Sequence, residues 1–268
     1  MYIPVVRKMV DSDSTLIERS LPAEGNIHVR VGEMVRAFDH VGECTILHKS
    51  LILPKEFTSS VKNITTSKKF AYSGAQIGML GRKKIIAPYN GFLSSNDDTK
   101  EYYFEEEPHA YLLLSGVWGQ VIKIVPKKSV LLKTHTRNIH LMAATAGSYV
   151  GELVVLPNKT DALETYFTKM VSNRTGGKVL YVGDYIDIES LVKIKELGVK
   201  AVLAGSAQRE VISYAKKNDL IFGLVSGFGE VKTPAGIHNF LAAVSDRLVF
   251  FHGADHILVV PLSPEDTI

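Results

Sequence analysis

The chain has 268 residues, of which 46% are hydrophobic and 22% charged, and its formal net charge is +3 at pH 7. This balance is typical of a folded globular protein and excludes wholesale disorder and collagen-like repeats. The 31 basic residues are dispersed among 28 acidic ones, so the charge gives no indication of a nucleic-acid partner.

The cysteine content, the first ten residues and the length of the apolar stretches predict the cellular compartment. Cys44 is its one cysteine, which excludes an internal disulfide and a Cys-rich zinc cluster. The first ten residues have one short apolar run, followed by Asp11 and Asp13, unlike a signal peptide. No stretch approaches the roughly 20 apolar residues of a membrane helix. We therefore expect a cytoplasmic protein without membrane contact.

The first half of the chain has the pattern of a β domain. From Asn26 to Leu156, short β-branched runs alternate with Gly, Asn, Asp and Pro, which is typical of strands and turns. Pro126–Lys128 is predicted to form a tight hairpin tip. We expect residues 1–157 to form one all-β domain. Its predicted strands are Asn26–Val31, Cys44–Leu47, Lys84–Ala87, Ala110–Leu114, Gln120–Val125, Val130–Thr134, Ile139–Ala143 and Glu152–Leu156.

The pattern changes at the polar segment Asn158–Asp161, which predicts a domain boundary there. A helical stretch follows at Ala162–Val171, and Asp161 with Glu164 forms a plausible capping pair. Residues 158–268 would then form the second domain.

In the second half, short apolar runs alternate with amphipathic stretches. This alternation predicts βαβ units with right-handed crossovers and a parallel sheet. The expected fold class is thus a two-domain α/β protein whose C-terminal domain is a three-layer, Rossmann-like α/β unit. His256–Pro261 would add a last strand, at the sheet edge or on the β domain. The predicted strands are Lys178–Val182, Lys200–Leu203, Leu220–Val225 and Arg247–Phe251, and the helices are Ile188–Leu197, Ala207–Lys217 and Gly236–Val244.

Two N-terminal segments combine an apolar strand with a glycine step and a turn. The step is Gly-x-x-Val in the first, whereas in the second Gly-x-x-Ile precedes a return strand with Pro-Tyr-Asn-Gly. The first runs from Leu21 to Glu43, with its step at Gly32–Val35, and the second is Ser73–Ile77 followed by Ile85–Leu93. They resemble barrel-sandwich hybrid domains, which include biotinyl/lipoyl carrier domains and the related module of RnfC-type proteins. The resemblance implies a compact β fold that serves as a rigid platform.

Carriers of that group present a modified lysine at a hairpin tip, framed by Met in biotin carriers or preceded by Asp in lipoyl carriers. Here Lys127 and Lys128 have Pro126 and Ser129 as neighbours. The carrier role is therefore disfavoured, and no cofactor is expected.

The loops that follow the C-terminal strands are the predicted ligand site. Ligands of open parallel sheets bind beyond the carboxyl ends of the strands. Closely spaced glycines in the longest loop would let backbone amides approach a phosphate or carboxylate, although glycines at such a position more often only shape the turn. The candidate ligand-binding residues are Asp184, Ser206, Ser226, Gly227, Gly229 and Glu230.

Other chemistry has weaker sequence support. His252 and His256 have the spacing of zinc ligands on a helix, but Gly253 argues against a helix there. The remaining histidines, His28 among them, define no cluster, so no metal site is predicted. Trp118 is interpreted as a packing anchor. The dinucleotide and P-loop motifs are incomplete.

We therefore expect a non-catalytic binding or assembly module that takes a small anionic ligand. A protein partner or a second copy of the chain is a further possible partner. The alternative is an enzyme acting on a small anionic or nucleotide-like substrate at the same loops. In that case Glu230 is the carboxylate placed for acid/base work, and no other catalytic residue is assigned.

Overall fold

The computed structural model describes residues 8–46, 50–59, 68–96, 101–156 and 176–267. Within these ranges the chain is predominantly β-strand, with three α-helices and a closing 3₁₀ turn at Pro264–Thr267. The strands are β1 Met9–Ser20, β2 Gly25–Ile27, β3 Met34–Val35, β4 His40–Ile46, β5 Ser50–Ile52, β6 Phe57–Ser59, β7 Lys69–Ala71, β8 Gln76–Leu80, β9 Lys83–Ile86, β10 Gly91–Asn96, β11 Glu101–Glu106, β12 His109–Leu114, β13 Gly119–Val125, β14 Ser129–His140, β15 Ala143–Ala144, β16 Ser148–Val155, β17 Val179–Tyr181, β18 Tyr185–Ile186, β19 Ala201–Ala207, β20 Ile221–Phe228, β21 Leu248–His252 and β22 Ile257–Pro261. The helices are α1 Ile188–Glu196, α2 Arg209–Lys217 and α3 Ala235–Ala243.

One mixed sheet of twelve strands dominates the architecture. Its order is β15-β20-β19-β17-β16-β21-β22-β14-β13-β3, with β1 added to β14 and β18 added to β19. Three smaller sheets have the orders β5-β11-β10-β7, β12-β4-β2 and β6-β8-β9. The large sheet thus joins strands from the beginning and the end of the chain.

The parallel part of the large sheet is β16, β17, β19 and β20, with the short β18 also parallel to β19. The parallel pairing predicted for Lys178–Val182, Lys200–Leu203 and Leu220–Val225 is confirmed. All seven residues of β19 are buried, as expected for a strand covered on both faces. Leu191 of α1 and Val211 of α2 pack with one cluster of buried residues, and Ile237 of α3 packs with another.

None of the described helices has the length and apolar character that crossing a bilayer would require.

The predicted three-layer, Rossmann-like domain is nevertheless wrong. The fourth strand, β21, runs antiparallel between β16 and β22, and β22 lies inside the sheet between β21 and β14. Ile139 of β14 shares a buried cluster with Val249 and Leu258. Because these apolar side chains bury one another, the sheet continues into N-terminal strands instead of ending as a separate α/β layer.

The likeness to barrel-sandwich hybrid and biotinyl/lipoyl domains is also wrong. The two segments that carried it lie in different sheets and different cores. Val35 and Val41 belong to a cluster around Val121 and Leu132, whereas Ile77 belongs to a separate cluster around Phe57, Leu93 and Phe104. The two glycine steps therefore do not interlock in one sandwich.

The predicted domain boundary is not tested. The joint Asn158–Asp161 and the helix Ala162–Val171 lie outside the described residues, which stop at 156 and resume at 176. The division at 157/158 stays a prediction.

Two long antiparallel pairs support the N-terminal core. β1 runs along β14 from Met9↔Ile139 to Ser20↔Ser129, with a register shift between Ser12 and Thr15. β13 and β14 form the hairpin predicted at Pro126–Lys128, where Lys127 has a φ of +61°. These pairs place the end of β1 beside the hairpin between β13 and β14, where the amide of Leu21 donates to the carbonyl of Lys128 at 2.8 Å.

Candidate functional site

The six predicted site residues do converge at the carboxyl ends of β17, β19 and β20. The backbone carbonyl of Asp184 accepts from the hydroxyl of Ser206 at 2.9 Å and from its amide at 2.8 Å. Ser206 is in register with Gly227 on the neighbouring strand. Gly229 donates its amide to the carbonyl of Ala207 at 3.0 Å.

The loop after β20 covers this edge. The amide of Val231 donates to Oγ of Ser206 at 3.0 Å, and the amide of Thr233 donates to Oδ1 of Asp184 at 3.0 Å. A Cβ at Gly205 would lie 2.3 Å from Oγ1 of Thr233, so the loop and the strand end are in close contact. Asp184 and Ser206 are buried, and these bonds hold the loop in place.

The other four predicted residues, two at the end of β20 and two in the loop after it, fit the alternative of a shaped turn. Gly227 and Gly229 have φ angles of +129° and +89°, which side chains with a Cβ rarely adopt. Ser226 donates its hydroxyl to the carbonyl of Lys232 at 3.2 Å, and Glu230 is exposed. Ligand binding by these residues stays a prediction.

A separate concavity lies at the other end of the sheet. It has a volume of about 270 Å³, and we call it the Arg19 cleft. A larger, open cleft of about 1240 Å³ adjoins it and shares Trp118 and Arg247. The residues of the Arg19 cleft that matter below are Arg19, Phe38, Leu112, Leu114, Trp118 and Arg247.

Local backbone contacts fix the tryptophan. Gly116 has a φ of +72° and donates its amide to the carbonyl of Ala37 at 2.8 Å. Oγ1 of Thr134 donates to the carbonyl of Trp118 at 2.6 Å. A Cβ at Gly119 would lie 2.2 Å from the carbonyl oxygen of Lys133. The two glycines flanking Trp118 thus let the loop turn sharply and then pair closely with β14.

Arg19 supplies the cleft with a partly desolvated positive charge. It stands opposite Val130 near the end of β1 and donates Nε to the carbonyl of Leu114 at 3.2 Å. Within the described residues no carboxylate lies at ion-pair distance from it. Burial lowers the pKa of Arg19, although the group stays protonated in water. Guanidinium donors remain available at the cleft.

The wall beside Arg19 is apolar and unusually exposed. Phe38 is 74% exposed and meets Trp118 edge to face, with ring centroids 6.4 Å apart. Leu112 and Leu114 are also exposed. Adjacent exposed apolar side chains mark binding surfaces more often than isolated ones do.

Arg247 has a different role from Arg19. Its guanidinium carbon lies 5.2 Å from the ring centroid of Trp118, and it forms a two-point ion pair with the carboxylate of Asp266. Its charge is therefore already compensated, and the side chain acts as a fixed wall behind the indole.

Sequence reasoning missed this site. Arg19 lies in a strand that the β-branched runs did not reveal, and nothing in its neighbours signals a ligand. The contacts of Trp118 with Phe38 and Arg247 fit the predicted packing anchor, and a single tryptophan between Gly116 and Gly119 does not by itself indicate a ligand. The structure leaves that side chain only partly buried.

Comparisons with known proteins add no family. No protein-family profile matches the chain, and no curated protein matches it. A solution NMR structure of a UPF0107 protein overlaps 47% of this chain and 99% of its own, with 15% sequence identity and a TM-score of 0.32. At that score the overlap carries no argument about fold or function.

Proposed function

We propose that the protein is a non-catalytic binding protein whose Arg19 cleft holds a small anionic ligand with a flat, apolar body. The observation that carries this proposal is the half-buried guanidinium of Arg19. Among the described residues it has a backbone carbonyl as its partner and no carboxylate at ion-pair distance.

We infer that the ligand is anionic because burying an uncompensated charge costs free energy. A desolvated cation without a counter-ion lowers stability unless a partner compensates it. The planar guanidinium binds a carboxylate, phosphate or sulfonate through two parallel hydrogen bonds. A ligand of that class would give Arg19 the counter-ion that the described residues do not provide.

The apolar body follows from the walls of the cleft. Phe38 and Trp118 offer ring surfaces, while Leu112 and Leu114 offer aliphatic surface beside Arg19. The volume of about 270 Å³ is near the lower end for ligand pockets, roughly 300–1,000 Å³. A ligand of one to three aromatic rings with one acidic group fits this space and chemistry.

We favour binding over catalysis because of the residues that line the cleft. Glu152 pairs with Lys178, so its charge is already compensated. The described lining residues include no serine, cysteine or histidine that could form a nucleophile–base pair. An enzyme acting at the covered strand edge stays a prediction. The proposal assumes a cytoplasmic location, consistent with the free thiol of Cys44.

Titration with 8-anilinonaphthalene-1-sulfonate tests the proposal, because this dye combines an anionic group with aromatic rings. Trp118 is the one tryptophan in the sequence, so energy transfer from its indole reports dye bound near the cleft. We expect saturable binding of one dye per chain, and phenyl phosphate should displace the dye.

Matched variants assign the binding to Arg19. Arg19→Met should weaken binding about ten-fold or more, the cost of a charge-assisted hydrogen bond, and Arg19→Lys should weaken it less. Lys83→Met removes an exposed cation in a different sheet and should change nothing. Unaltered affinity in Arg19→Met, or wild-type protein that transfers no energy to the dye, would contradict the proposal.

A further inference from the structure

Three potential metal ligands meet on the three-stranded sheet β12-β4-β2. They are His28, His40 and Glu43, and one ligand atom from each lies within 4.8 Å of the other two. Nε2 of His28 is 3.6 Å from Oε1 of Glu43. The centroids of the two imidazole rings are 5.2 Å apart.

A β-bulge brings His40 and Glu43 to the same face. In the pairing of β12 with β4, Leu113 is opposite Gly42 but Leu114 is opposite His40, so Val41 is an extra residue. Val41 and Cys44 both enter the buried cluster. The residues on either side of them, His40 and Glu43, therefore point away from that cluster. Bulges that redirect a side chain are common beside functional sites.

The third ligand comes from the neighbouring strand. The amide of His28 donates to the carbonyl of Val41 at 3.0 Å, directly after the last pair of β2 with β4, Ile27↔Gly42. This main-chain bond holds His28 beside the bulge. The bulge and the β2 pairing together build the cluster from backbone geometry, and no flexible loop is needed.

His40 has a nitrogen available for coordination. Its Nε2 atom is buried and has no hydrogen-bond partner among the described residues. A buried polar atom without a partner costs free energy and calls for an explanation, for which an unseen ion is a recognised one. A simple His28–Glu43 ion pair would explain those two residues but leaves His40 Nε2 unexplained.

We propose that His28, His40 and Glu43 bind a divalent first-row transition ion of the Zn²⁺ type. Two imidazoles and one carboxylate are ligands that these ions prefer, and they leave a fourth position for water. Two bonds of about 2.1 Å at a tetrahedral angle separate their ligand atoms by about 3.4 Å, close to the 3.6 Å between His28 and Glu43. His28 and Glu43 are each about two-fifths exposed, so small side-chain rotations can close the remaining distances.

The site differs from the Arg19 cleft in residues and in chemistry. Glu43 lines a separate open groove of about 510 Å³ with Asn26 and Lys127, through which water and ions can reach it. The metal proposal does not depend on the proposed function, and its test uses metal binding alone.

Cobalt binding to full-length protein without a histidine tag tests the site. After treatment with a chelator, the protein is titrated with Co²⁺, whose visible ligand-field bands intensify when imidazole and carboxylate replace water. We expect one Co²⁺ per chain, displaced by Zn²⁺ and not by Mg²⁺, which prefers oxygen ligands. Acidification should weaken binding, because the ligands bind metal in their deprotonated forms.

Variants distinguish this cluster from surface histidines. His40→Asn and Glu43→Gln should each weaken Co²⁺ binding about ten-fold or more, with unchanged metal-free melting temperatures. His109→Asn is the matched control, because His109 also faces a glutamate, Glu106, at 4.0 Å but belongs to no three-ligand cluster among the described residues. Wild-type protein that binds no Co²⁺, or a Glu43→Gln variant that binds it as tightly as wild type, would overturn the proposal.

Discussion

Arg247 stacks on Trp118, with 5.2 Å between its guanidinium carbon and the indole centroid, and binds the carboxylate of Asp266 with its two terminal nitrogens. Asp266 also accepts from the amide and the hydroxyl of Ser263, each at 2.7 Å. The end of the chain is thereby tied to the loop between β12 and β13. Trp118 and Arg247 both line the Arg19 cleft, so the contacts with Asp266 support one of its walls.

Acid should weaken the interactions of Asp266 with Arg247 and Ser263. Burial raises the pKa of Asp266, but the hydrogen bonds from Arg247 and Ser263 outweigh burial and lower it to about 2, from 3.8. Because the folded-state pKa lies below the unfolded value, the stabilisation is fully present above about pH 4 and is lost as the pH falls through about 2. After allowance for solvent screening, we expect a loss of about 1–2 kcal/mol in the free energy of unfolding.

Urea denaturation between pH 5 and pH 2 measures this loss. Asp266→Asn should remove that part of the pH dependence, and Ser263→Ala, which deletes one of the hydrogen bonds, should lie between this variant and wild type. Equal pH profiles for wild type and Asp266→Asn would contradict the account.

Arg19→Met should separate stability from binding. Replacing a partly buried, uncompensated cation by an apolar side chain of similar length should leave the free energy of unfolding unchanged or raise it by about 1 kcal/mol. Binding of the anionic dye should fall in the same variant. Urea denaturation at pH 7 provides the check, and a loss of more than about 2 kcal/mol would mean that Arg19 is a structural residue.

The strand edge predicted as a ligand site should behave as a structural joint. Asp184→Ala removes the buried acceptor of the Thr233 amide and should cost about 2 kcal/mol. Glu230→Ala changes an exposed side chain and should stay within about 0.5 kcal/mol. Hydrogen exchange should accelerate at the amides of Val231 and Thr233 in Asp184→Ala alone. Similar effects of the two substitutions would argue against this role.

The local elements of the C-terminal half were predictable because local rules decide them. Helix α1 begins where Asp187 accepts from the amide of Ser190 at 2.7 Å, and the apolar spacing of Leu191 and Ile194 specifies its buried face. The apolar run Ala201–Ala204 at the start of β19 predicts a strand buried on both sides. Such signals lie within one turn or one strand.

The continuation of the parallel sheet through β21 and β22 to β14 was not predictable, because it depends on strand pairs that are distant in sequence. Ile139 is in register with Leu258 and Tyr149 with Phe251, and no local pattern distinguishes these partners from other apolar strands. The proposed sites share this property. Arg19, the pair Leu114 and Trp118, and Arg247 come from three separate segments, and His40 reaches Glu43's face through a bulge that depends on the pairing with β12.

The location of the ligand site is tested most directly by nuclear magnetic resonance during a titration with phenyl phosphate. The account predicts saturable shifts of the Arg19 Nε–H and Trp118 Nε1–H resonances, while the amides of Val231 and Thr233 stay in place. Shifts confined to Val231 and Thr233, with the side-chain signals of Arg19 and Trp118 unchanged, would contradict it and return the site to the carboxyl ends of the parallel strands.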